Sequence, residues 1–166
     1  MKKLNLLSIN SRAPYHVQQR GNEGRYDFKT DHGVHYIIDF MEDDLLQSAV
    51  AYQLSIINVN HVNAPRDIKV RDTIIAVVDS FFEQNKTALL YICETSDGRQ
   101  SLRNRLFMSW FESDEHKNDF VIITTDIIDA EGVYNYAAII VPLDAPKFEE
   151  IIKEYKTTVL LLKNKP

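Results

Sequence analysis

Arg99, Arg103 and Arg105 follow the turn-rich stretch Ser96-Asp97-Gly98. Arg99 and Arg103 stand four residues apart, so on a helix they share a face and could hold a phosphate, an RNA backbone or a partner's carboxylates. The plainer role is a solvated helix face balanced by Glu94 and Asp97. His32 and His35 beside Asp31 offer imidazole and carboxylate donors, yet they straddle a tight turn with no third ligand near them in sequence, and no metal is expected. Cys93 could serve as a nucleophile with a distant histidine, but it ends an apolar run in step with Leu89 and Tyr91 and reads as buried. Glu42, Asp43 and Asp44 could bind a divalent cation or take a proton from an amine; a loop that keeps a hairpin end soluble needs the same residues. Phe81, Phe82, Phe107, Trp110 and Phe111 read as core, with Trp110-Phe111 able to surface as an interaction patch.

Positioning these groups requires strands and helices that the residue pattern lays out in order. Tyr26 and Phe28 alternate with polar neighbours, Asp31-His32-Gly33 supplies a turn, and Val34, Tyr36, Ile38 and Phe40 alternate again, which predicts a hairpin with one buried face. Val50 to Val59 reads as a third strand. Asp67 after Pro65 can cap a helix whose Val70, Ile74, Val77, Val78, Phe81 and Phe82 form an apolar stripe. Thr87 to Cys93 reads as a short buried strand, and Ser96 or Asp97 can cap a second helix bearing Leu102, Leu106, Phe107 and Trp110. Phe120 to Ile128 and Val133 to Val141, parted by Asp129-Ala130-Glu131-Gly132, form a second hairpin. A third helix follows over Lys147 to Tyr155, and Thr157 to Leu162 closes the pattern as a last strand. The predicted order is β-β-β-α-β-α-β-β-α-β, an α+β domain with helices packed on a mixed, mainly antiparallel sheet. Residues 1–24, polar from Asn10 to Gly24, read as an N-terminal strand or mobile arm, and 25–166 as one domain.

The 166 residues suit one domain, and 45% hydrophobic with 26% charged residues is the composition of a folded globular chain. A single cysteine and the absence of paired Cys and His at zinc spacing fit a reducing, cytoplasmic setting. Met1 to Leu7 opens like a signal peptide, but Asn5, Ser8, Asn10 and Arg12 interrupt the apolar run, so neither a signal nor a membrane span is expected. A net charge of −5 disfavours broad attraction to nucleic acid or anionic lipid while leaving a local basic patch open.

From the hairpin to the closing hairpin, about residues 26 to 142, the element order resembles the GNAT-type N-acyltransferase fold from its second strand onward. In that superfamily the loop before the first long helix carries Arg/Gln-x-x-Gly-x-Gly/Ala and an aliphatic pair, with backbone N–H groups on the pyrophosphate of acyl-CoA. On this chain Arg66 falls at the basic position, Ile74 and Ile75 at the aliphatic pair, and Lys69 and Arg71 where glycine is expected. The resemblance therefore implies a site for acetyl-CoA, CoA or another phosphate-bearing ligand along Arg66, Asp67, Ile68, Lys69, Val70 and Arg71. Where many such enzymes place a tyrosine that protonates the departing thiolate, this chain has Phe107, which has no proton to give. About 25 residues precede the hairpin, fewer than the strand and two helices that shape the acceptor site in the superfamily. The segment Tyr91 to Phe111 is also similar to small bacterial proteins grouped only as a domain of unknown function, over about residues 26 to 115.

Function stays open at this stage, and so does whether the chain is an enzyme. The leading expectation is a degenerate GNAT-like protein that binds acyl-CoA or another phosphate-bearing ligand with weak or no acyl transfer. The rival is a non-enzymatic regulatory module that contacts a protein or RNA through Arg99, Arg103 and Arg105. Acyl acceptor, partner and oligomeric state have no sequence signal.

Overall fold

The structure, a computed structural model, describes residues 1–21, 24–63, 65–93, 100–113, 117–128 and 131–163, apart from the side chains of Gln100, Arg103 and Ile127. Its elements run α1 Leu6–Arg12, β1 Gln18–Gln19, β2 Arg25–Lys29, β3 His35–Asp43, β4 Ala51–Asn58, α2 Ile68–Gln84, β5 Ala88–Ile92, α3 Gln100–Glu112, β6 Phe120–Ile128, β7 Tyr134–Pro142 and α4 Phe148–Lys163, with a 3-10 turn at Lys117–Asp119 before β6. The class is α+β, as the residue pattern implies. The chain divides into two compact units, Met1–Met41 with Leu54–Asn85 and Glu42–Gln53 with Lys86–Pro166. No helix among the described residues is long and apolar enough to cross a membrane.

In the first unit β2 and β3 pair antiparallel, with Tyr26 opposite Ile38 and Phe28 opposite Tyr36. Alternation turns Tyr26, Phe28, Ile38 and Phe40 inward. The apolar stripe of α2 meets them: Val70, Ile74, Val77 and Phe81 are buried, and Phe81 stacks on Phe40 with ring centroids 4.8 Å apart. The start of α2 falls where the sequence places it, with Asp67 as N-cap accepting from Lys69 N.

The segment read as a strand or arm before Arg25 holds α1 and the two-residue β1. From Asn10 to Gly24 it contains few apolar residues, but Tyr15 and Val17 there are buried, as are Leu4 and Ile9 before them. Asn5 caps α1 by accepting from Ser8 N, and Arg12 reaches Asp79 and Glu83 on α2 at 3.6 and 3.3 Å. Seven residues make too short a helix to stand alone, so packing against α2 is what keeps α1 formed.

In the second unit β7 lies between β5 and β6, antiparallel to both. Leu46, Ala51, Ala88, Leu90, Ile139, Val141, Ile151 and Tyr155 form one core cluster. On α3, Phe107 and Phe111 are buried, and Phe107 stacks on Tyr91 at 3.7 Å between centroids.

One expected element is corrected. Thr157 to Leu162 does not form a closing strand; it continues α4. The β-branched pair Thr157-Thr158 and Val159 favour strand locally, but Ile151, Tyr155 and Val159 recur every four residues and pack on one core cluster, so the helical period prevails.

Gly24 fixes the approach to β2. Its φ is +96°, and a Cβ there would lie 2.6 Å from the carbonyl oxygen of Phe40. Phe40 N in turn donates to Gly24 O at 2.9 Å. Backbone cannot yield as a side-chain tip can, so Gly24→Ala should lower unfolding free energy by about 1–3 kcal/mol. Chemical denaturation checks this, and a change within about 0.5 kcal/mol would show that the β2–β3 pair relaxes around the methyl group.

Candidate functional site

At the start of α2 the helix leaves N–H groups without intrahelical partners, a natural anion position. Here Asp67 occupies it: Oδ1 accepts from Lys69 N at 2.9 Å, and Oδ2 accepts from the Tyr15 hydroxyl at 2.5 Å. Tyr15 is buried, stacked on Phe28 at 5.9 Å, and its N–H donates to Thr73 Oγ1. Burial and then the bond to Asp67 push the Tyr15 phenol up from its usual range.

Two of the three cations expected to hold phosphate, Lys69 and Arg71, have partners of their own. Lys69 Nζ donates to Asp31 Oδ2 at 2.8 Å and lies 5.6 Å over the Tyr15 ring. Hydrogen bonding to Asp31, then its charge, raises the Lys69 pKa, and the same bond holds the Asp31 carboxyl below its usual range. Arg71 pairs with its neighbour Asp72, Nε to Oδ1 at 2.8 Å. Arg66 is exposed, and among the described residues no hydrogen bond or ion pair engages it. Ile68 is 61% exposed, whereas Val70 points into the core. The structure thus brings Lys69 and the cap together with two groups the sequence reading did not connect to them, Tyr15 and Asp31. A lone aromatic in a polar stretch was the available signal for Tyr15.

A second polar cluster lies on the outward face of the β2–β3 pair. Asp27 is 2% exposed, and its Oδ2 is 2.7 Å from His35 Nε2 and 3.2 Å from Arg20. Burial alone would raise its pKa, but hydrogen bonds from His35 and Gln18 and the charges of His35 and Arg20 outweigh that and hold the carboxyl below its usual range. His32 is exposed, and among the described residues no hydrogen bond or ion pair joins it to this pair. Among the described residues no group of three or more His, Cys, Asp or Glu is arranged to hold a metal.

In the second unit a groove of about 980 Å³ runs beside the end of β3 and the loop from Asp44 to Val50, with Lys86 and Lys147 on its wall. Lys86 pairs with Asp144, and Lys147 donates to Ser48 O at 2.6 Å. Glu154 organises the loop, accepting from Gln47 N at 2.7 Å, Ser48 N at 3.0 Å and the Ser48 hydroxyl. These bonds, the hydroxyl first, hold the Glu154 carboxyl below its usual range.

Of the arginine cluster, Arg105 is exposed on α3. Arg99 and the side chain of Arg103 lie outside the described residues, as do the expected caps Ser96 and Asp97. Cys93 is buried.

A family model described as "Family of unknown function (DUF6169)" matches residues 66–157, more than half of the chain. That span begins at the candidate anion position and runs through most of α4. No curated protein and no solved structure matches the chain.

The depressed Asp27 carboxyl sets a direction for pH dependence. Its stabilising share is fully present above the unfolded-state pKa of about 4 and is lost as pH falls through the lower folded value. Thermal melts taken from pH 7 to pH 3 should show stability falling below pH about 4, with a shallower fall for Asp27→Asn. Parallel declines in the two proteins would remove Asp27 from the acid response.

Proposed function

We propose that this chain, which belongs to the family of unknown function DUF6169, binds a phosphate-bearing ligand, acetyl-CoA or CoA, weakly at the start of α2 and performs little or no acyl transfer. The observation that carries the reading is the state of the cations there: Arg66 is unengaged among the described residues, and Lys69 is exposed and held by one aspartate. Beyond the cap, the first turn of α2 has no acidic residue, so the helix dipole still favours an anion beside Lys69. A ligand phosphate has to take Asp31's place on Lys69, which offsets much of the attraction and makes binding weak.

The run of a hairpin, a strand, a helix, a strand, a helix and a second hairpin supports a GNAT-like arrangement. Absent transfer rests on Phe107. The residue that the resemblance aligns with the proton donor is 1% exposed and stacked in the core, and it has no acidic proton.

One observation favours the second reading, a protein- or RNA-contacting module. On α3 Leu102 is 59% and Leu106 39% exposed beside the exposed Arg105, an apolar and basic surface suited to a partner. Such a complex would weaken with salt and leave CoA binding undetectable.

Calorimetric titration with CoA and acetyl-CoA tests the leading reading. Lys69→Glu should abolish binding, and Asp31→Asn should tighten it several-fold because the lysine no longer has a competing carboxylate. No binding by wild type or Asp31→Asn would end the proposal. In a separate assay, acetyl-CoA consumption with amine acceptors should stay well below about 1 per second, and turnover at ordinary enzyme rates would overturn the claim of absent transfer.

A further inference from the structure

Among the described residues β6 presents an open edge. In the second unit the strand order ends at β6, and among the described residues no strand lies beyond it. The direction of its backbone groups follows from the register. Leu143 N donates to Asp119 O at 2.9 Å, so in the ladder that sets Val121 opposite Val141 and Ile123 opposite Ile139, the odd-numbered residues of β6 exchange bonds with β7. Cys93 N donating to Tyr136 O agrees, since it turns the even-numbered residues of β7 toward β5. Pro142, without an N–H, sits at an even position where β6 asks nothing of it. The N–H and C=O groups of Ile122, Thr124, Asp126 and Ile128 therefore point away from β7.

Proteins blunt such edges with lysine, proline, a bulge or brevity. None of these is present. The register runs unbroken over nine residues from Phe120 to Ile128, the segment is Phe-Val-Ile-Ile-Thr-Thr-Asp-Ile-Ile, and its one charge, Asp126, is met by Lys163 at 3.6 Å.

We infer that this edge pairs antiparallel with β6 of a second copy of the chain, about a two-fold axis at Thr124. That register sets Thr124 opposite its own copy, a favourable threonine pair, and Ile122 opposite Asp126. Ile122, Thr124 and Asp126 can then each exchange both backbone bonds, because all three point outward. A centre at Asp126 would oppose two like charges, and a centre at Ile122 would leave Ile128 outside the ladder. The apolar end of α4 agrees with this axis. Lys163 reaches Asp126, and Leu160, one helical turn earlier on the same side, is 61% exposed, with Leu161 65% exposed. A two-fold axis normal to the sheet puts both α4 ends on one face near the seam.

Light scattering on the full chain from about 1 to 100 μM, joined to amide exchange, tests the pairing. The expected result is a mass that rises toward twice the chain mass and, with it, slowed exchange at Ile122, Thr124 and Asp126. Thr124→Lys, which sets two ammonium groups at the axis, should return the protein to monomer with an unchanged far-ultraviolet spectrum. Thr124→Pro removes an outward N–H that β7 does not use and should act likewise. A wild type that stays monomeric across the range overturns the inference, as does a dimer that survives both substitutions or leaves those amides fast.

Discussion

The carboxylate of Asp67 ties together parts of the first unit that lie far apart in sequence. One oxygen caps α2 and the other holds Tyr15, so the first turn of the helix and the segment before β1 are fixed by a single side chain. Through Tyr15 the constraint reaches Phe28 on β2, and through the ring face it reaches Lys69. The same carboxylate takes the place at the helix start where an anionic ligand would be strongest. The geometry that secures the fold here thus lowers the affinity of any site built on it.

Charge at this end of α2 is balanced residue by residue. Lys69 answers Asp31, and Arg71 answers Asp72. Only Arg66 stands outside these pairs among the described residues, so a bound phosphate would gain from one unengaged cation and compete for another. Exposed pairs of this sort contribute little to stability, which leaves them free to be exchanged for a ligand.

Much of this was legible in the sequence, and the physical reasons for the rest are specific. The α2 stripe and the alternation through β2 and β3 are long, strongly periodic patterns that bury one face, and their cap and turn chemistry agree with them. At the end of α4 two local signals compete: Thr157, Thr158 and Val159 favour strand, while the four-residue recurrence of Ile151, Tyr155 and Val159 favours helix, and packing on one core cluster decides between them. α1 was passed over because so short a helix depends on α2 for its existence. At the candidate site Lys69 and the cap could be read from local spacing. The pairing of Lys69 with Asp31 spans 38 residues and arises only when the hairpin turn is brought to the helix start.

Glu154 carries a further consequence, for the order in which the protein can take shape. The loop N–H groups of Gln47 and Ser48 find their acceptor 107 and 106 residues later. During synthesis that loop leaves the ribosome long before the carboxylate exists, and at about 5–20 residues per second the wait is on the order of 5–20 seconds. Through that interval those amides lack their native acceptor, and the wall of the groove cannot take its final hydrogen bonds until Glu154 has been made.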